Sequence, residues 1–147
     1  MADAPIPSVV AMLICDQIIN EAGTNKKSLI GIFENFSSPG FPVLMPRLAV
    51  YVKLVDAEGV YQFKLRLVKL RDESLVAEID IQATIVDSSH HSELAINMGN
   101  LPIPEPAKYE FQLYYGEVFL HRVTIDAVQI SAGGAPWQQQ QKPPLNF

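Results

Sequence analysis

The densest run of chemistry-bearing side chains is Asp87-Ser-Ser-His-His-Ser-Glu93, which holds two of the chain's three histidines beside two carboxylates. Imidazole and carboxylate groups together can ligate zinc or manganese, so a metal-dependent enzyme built on Asp87, His90, His91 and Glu93 is one reading of this stretch. The spacing works against it. Adjacent histidines in extended backbone point to opposite sides, and neither His-x-His nor His-Glu-x-x-His is present to aim two imidazoles at one point. A polar inter-strand loop fits the pattern better, and no metal or other cofactor is expected.

Nucleophilic catalysis could draw only on Cys15 with a histidine such as His121, because no serine sits in a Gly-x-Ser-x-Gly elbow. Cys15 lies within an apolar run, where a thiol packs, keeps a raised pKa and stays inert. His121 shares a strand phase with Phe119, Val123 and Ile125, and reads as a hydrogen-bonded structural histidine. The carboxylates Glu34, Glu78, Asp80 and Asp126 are scattered, so sequence does not fix any acid–base pair. Neither a Gly-x-Gly-x-x-Gly run nor a Gly-Lys-Ser or Gly-Lys-Thr cradle occurs, which argues against nucleotide chemistry. A net charge of −5 opposes sequence-independent nucleic-acid binding. The one basic stripe, Lys64, Arg66, Lys69 and Arg71, is expected to face Glu78 and Asp80 on the next strand.

The elements that position these residues alternate with a period of two, the signature of strands with one buried face. Eight strands are expected. Val9 to Ile19 and Ser28 to Phe36 form a hairpin across the polar connection 20–27. Leu48, Val50, Val52 and Leu54 make one apolar row, and Tyr61, Phe63, Leu65 and Leu67 make the next. If these rows pair as neighbours, Leu54 lies opposite Tyr61 and Val52 opposite Phe63, with 56–59 as the turn. The same phase argument points Leu75, Ala77, Ile79 and Ile81 inward, pairs Leu67 with Ile79, sets Arg66 opposite Asp80 and leaves Asp72-Glu73-Ser74 as the turn. A short sixth strand lies near Leu94 to Met98. The prolines at 102, 104 and 106 confine the stretch after it to an edge or loop. Tyr109, Phe111, Leu113 and Tyr115 alternate in strand seven, and strand eight runs from Val118 to Ile130.

Turns spaced every 8 to 12 residues or so, without helical periodicity, indicate an all-β chain folded as a two-sheet antiparallel β-sandwich, immunoglobulin-like or C2-like. A partly open barrel is the alternative. With 48% hydrophobic and 18% charged residues among 147, the composition supports one folded domain. Residues 8–130 are assigned to the sandwich, 1–7 to an N-terminal extension and 131–147 to a flexible Gly/Pro/Gln-rich tail. In that tail Trp137, Leu145 and Phe147 could anchor a partner.

Leu13-Ile-Cys-Asp16, Lys27-Ser-Leu-Ile-Gly-Ile-Phe33, and Phe41-Pro with Pro46 together resemble a bacterial domain family of unknown function, whose members are small stand-alone β-sandwich proteins. The resemblance spans Val9 to Val128. It implies the fold and carries over no activity and no functional residue. Gly31 then reads as a site of close cross-strand approach or a bulge. Asp16 is expected to face water or to accept bonds from the connection after β-segment one.

No membrane span is expected, since the longest apolar run, Val9 to Cys15, is far too short. A lone cysteine and a start without a basic n-region suggest the cytosol. The function expected is a non-catalytic module that binds a protein partner through loops, an edge strand or the tail. Self-assembly into a homo-oligomer is the first alternative, and the metal enzyme the second.

Overall fold

The computed structural model describes residues 4–131. Its strands are β1 (Ser8–Asn20), β2 (Lys27–Ile32), β3 (Asn35–Ser38), β4 (Val43–Val55), β5 (Gly59–Lys69), β6 (Ser74–Ile85), β7 (Ser92–Ile103), β8 (Ala107–Tyr115) and β9 (Val118–Gln129). They form two sheets, β2-β1-β4-β7 and β3-β9-β8-β5-β6. The all-β two-sheet sandwich is therefore the architecture, with nine strands among the described residues. The added strand arises where the second expected segment breaks: the chain leaves the first sheet after Ile32 and enters the second at Asn35. There β3 runs parallel to β9, while every other ladder is antiparallel.

The apolar rows meet between the sheets. Leu48, Val50, Val52 and Leu54 of β4 and Ile14 of β1 pack against Tyr61, Phe63, Leu65, Leu67, Tyr109, Phe111 and Leu113, all at most 1% exposed. Each such side chain contributes about 1.5–3 kcal/mol by leaving water. Within this core Tyr61 stacks on Phe63 and meets Tyr115 edge-on. The Tyr61 hydroxyl is satisfied at the rim: it accepts from the Glu58 amide and donates to the Pro5 carbonyl at 2.7 Å. Ala4 and Pro5 are thereby tied to the sandwich.

Two expected pairings are corrected. β4 and β5 are not hairpin neighbours; they lie in different sheets, and their apolar rows face each other across the core. Strand phase is satisfied equally by pairing side by side or stacking face to face, so the pattern could not choose between them. In the β5–β6 hairpin Leu65 opposes Ile79, Leu67 opposes Ala77 and Arg66 opposes Glu78, a slip of two residues from the expected register. A bulge at Leu67/Val68 accommodates the longer turn, and it sets Leu75 opposite the outward-facing Val68. Leu75 is exposed as a result, not inward. The sixth expected strand is no short fragment, because β7 spans twelve residues paired along β4. Pro102 is tolerated there since β7 is a sheet edge.

Candidate functional site

β6 and β7 are edges of opposite sheets, and the loop between them carries the Asp87–Glu93 cluster. A cleft of about 610 Å3 opens beside it, floored by Ile85 and Leu94 and rimmed by Asp87, His90 and Glu93. Asp87 organises the loop. It accepts from the Ser89 amide at 2.8 Å and the Ser89 hydroxyl at 2.6 Å, and its other oxygen lies 2.9 Å from His90 Nδ1. These bonds, led by the Ser89 hydroxyl, lower the Asp87 pKa to about 2. Ser89 Oγ also meets His90 at Nδ1, at 3.0 Å. Serine and aspartate thus share one ring nitrogen, whereas a catalytic triad needs them on opposite nitrogens.

The remaining two candidates do not join them. Glu93 lines the same cleft, but its carboxylate accepts from the Tyr51 hydroxyl and pairs with Lys27 at 3.9 Å. Burial, with the Glu93 carboxylate as the next cause, raises the Tyr51 pKa to about 12. His91 is exposed and outside the lining. Among the described residues no three His, Cys, Asp or Glu side chains converge as metal ligands. What the structure assembles is an Asp87–His90 pair in a hydrogen-bonded turn.

The other candidate residues lie apart from this loop. Cys15 is fully buried, and burial raises its thiol pKa. His121 is exposed and has no side-chain hydrogen bond among the described residues, so the structural histidine expected from its phase is corrected. The bulge at Leu113/Tyr114 turns Phe119 outward onto Tyr114 and places His121 where the apolar row runs out. Lys64 lies 3.4 Å from Glu78 and 3.9 Å from Asp80, which neutralises that end of the basic stripe as expected, whereas Lys69 pairs with Asp72 and Glu105 instead. Arg66 Nε sits 3.3 Å from Glu78 but off the N–H direction, an ion pair without a directed hydrogen bond. Arg66 also lies over the Tyr114 ring at 5.8 Å. Glu34 and Asp126 reach one small cleft beside Lys108, about 350 Å3, while Glu78 and Asp80 remain on β6. Glu110, which sequence did not single out, is 4% exposed and accepts from Gln112 at 2.9 Å with Arg122 at 3.8 Å.

The β1–β2 hairpin presents the contrasting surface. Its register puts Cys15 opposite Ile32, Gln17 opposite Ile30 and Ile19 opposite Ser28, so Leu13, Ile19, Ile30 and Ile32 share one face. All four are exposed, by 37–54%. At the bend, Gly31 has φ +71, and a Cβ there would stand 2.3 Å from Asp16 Oδ2. The close approach expected at Gly31 is thus made by Asp16, which is itself exposed.

The Lys27–Glu93 pair shows how far this hairpin bends. β2 and β7 are opposite edges of the sheet, about 14 Å apart at ~4.8 Å per strand. Lys27 is aligned with Asn20, whereas Glu93 is aligned through Lys53 with Ala11, about 30 Å further along at ~3.3 Å per residue. Two side chains cannot span that separation in a flat sheet. The hairpin end therefore curls over the sheet's outer face, consistent with burial of the outward-phase Cys15, Ala49 and Tyr51 to 8% exposure or less. Tyr51 is accordingly not the exposed aromatic its phase suggests.

Trp137, Leu145 and Phe147 lie outside the described residues. No described helix is long and apolar enough to cross a membrane. Residues 10–128 match the model of a family described as Family of unknown function (DUF6941). That span differs by one residue from the one over which the sequence resembles such a family. No curated protein matches the chain. Among solved structures, the crystal structure of an immunoglobulin-like protein from Pseudomonas aeruginosa is similar at 10% identity, covering 84% of this chain and 97% of that one, with a TM-score of 0.45.

Proposed function

We propose that this chain, which belongs to the Family of unknown function (DUF6941), is a non-catalytic cytosolic protein-interaction module that binds through its β1–β2 hairpin. One observation carries the reading: four large apolar side chains, Leu13, Ile19, Ile30 and Ile32, stand exposed together beside an open strand edge. Contiguous apolar surface of this kind marks interaction sites, since isolated exposed residues are ordinary and clusters are not. The polar residues lend no competing support. Asp87 and His90 bind each other in a turn, and Glu93 is taken up by Tyr51 and Lys27. A single buried cysteine suits a reducing compartment.

The test compares the full chain with the double variant Ile30→Asp/Ile32→Asp, each immobilised and exposed to native lysate with bound proteins identified by mass spectrometry. Both side chains are about half exposed, so the variant is expected to keep its melting temperature and to lose a specific set of bound proteins. Equal capture by both forms would overturn the reading.

A further inference from the structure

We infer that Trp137, in the chain's own C-terminal segment, docks in the cleft beside the β7–β8 loop, between Arg71 and Lys108. This site is separate from the hairpin surface proposed above, since no hairpin residue lines it.

The cleft, about 430 Å3, lies where β5 ends and β8 begins. Leu70, Pro106 and Ala107 give it an apolar lining. Leu70 is 37% exposed, although its amide is held by the Lys108 carbonyl at 3.0 Å. The wall at Glu105 is fixed in advance. The buried Tyr109 donates its hydroxyl to the Glu105 carbonyl at 2.6 Å and accepts from the Glu105 amide at 3.2 Å, while Lys69 takes the Glu105 carboxylate at 2.5 Å. Arg71 and Lys108 are exposed, and neither side chain has an ionic or hydrogen-bonding partner among the described residues. An apolar seat with a proline and two unpaired cations suits an aromatic ring, and indole is the ring that best attracts a cation to its face.

Reach selects the ring. Ile130, whose amide donates to the Ser38 carbonyl at 3.1 Å, is three residues past Ala127, which lies opposite Ala107. The end of β9 is thus about 10–15 Å from the cleft, at ~3.3 Å per residue and ~4.8 Å per strand. Trp137, the only tryptophan, follows Ile130 by seven residues, or at most about 25 Å of extended chain, with Gly133-Gly134 to make the reversal. The larger cleft beside Asp87 and His90 is at the opposite end of the sandwich, about 40 Å away along β9 and out of that reach.

Charge agrees with this placement. An adjoining cleft of about 350 Å3 shares Leu70 and Lys108 and adds Glu34 and Asp126. Neither carboxylate has an ionic or hydrogen-bonding partner among the described residues, so this cleft carries one negative charge in excess. The single charged side chain after Asp126 in the sequence is Lys142, five residues past Trp137. About 18 Å of extended chain carries it from one cleft to the next.

Trp137 is its own probe. Its fluorescence in the full chain is quenched with acrylamide and compared with that of the synthetic peptide 131–147. With about two thirds of the molecules docked, quenching falls about threefold below the peptide's. The shielding is the same at every protein concentration, since ring and seat belong to one chain. Leu70→Glu and Arg71→Glu each raise quenching toward the peptide's value, whereas Val86→Glu, at a side chain 85% exposed at the far end, leaves it unaltered. At low salt Lys142→Glu raises quenching about twofold. Adding Glu34→Lys to that variant restores the shielding, a compensation that misfolding cannot mimic. Quenching equal to the peptide's would overturn the inference and leave the cleft to another molecule. Shielding that grows with concentration, or that ignores both Leu70→Glu and Arg71→Glu, would overturn it too, by placing the ring on a second copy or elsewhere on the fold.

Discussion

At the scale of single residues, the loop that looked most like chemistry is held by one carboxylate. Asp87 takes both Ser89 donors and the His90 ring, and its pKa of about 2 records those bonds. Because the folded value is depressed, the stabilisation is fully present above the ordinary carboxylate range and is lost as pH falls through about 2. Carboxyl-carbon NMR should therefore show Asp87 still ionised well below the ordinary carboxylate range. Ser89→Ala should move its midpoint back toward the ordinary value; an unmoved midpoint would mean that the residue-89 amide and His90 set it without the hydroxyl. The sequence showed which residues cluster here, and the failure of their spacing to suit a metal. It could not show that Glu93 turns away, because the Tyr51 that engages it is 42 residues distant.

At the scale of elements, the β1–β2 hairpin depends on one glycine. Only glycine takes φ +71 without strain, and any Cβ at position 31 meets Asp16. Gly31→Ala should cost about 1–3 kcal/mol in urea unfolding. Combining it with Asp16→Ala should recover only part of that, since removing the carboxylate leaves the backbone strain. A cost below about 0.5 kcal/mol would show that the bend relaxes freely. Strand identities were readable because alternation marks one buried face, as with Tyr109, Phe111, Leu113 and Tyr115. Neighbours were not. Leu54 and Tyr61 satisfy the same phase whether paired or stacked, and a two-residue slip of β5 against β6 leaves every side chain on its own face while exchanging Asp80 for Glu78 opposite Arg66.

For the whole molecule, the sandwich closes its core on two sheets and leaves β2 at an edge, with the hairpin bent over the outer face and held at its end by Lys27 and Glu93. That curl was beyond sequence reasoning, because it follows from a contact between opposite edges of a sheet whose order no local pattern specifies. The exposed isoleucines were legible only as a nearly continuous apolar stretch; the fold decides that Met12 and Ile14 go inward while Leu13, Ile30 and Ile32 remain outside. The most direct measurement is amide hydrogen exchange of Ser28 to Ile32 on the free chain and on the chain bound to the proteins it captures. Protection of the β2 amides should rise on binding while β8 and β5 stay unchanged. Exchange in β2 that is fast and identical in both states would contradict the assignment of this hairpin as the binding surface.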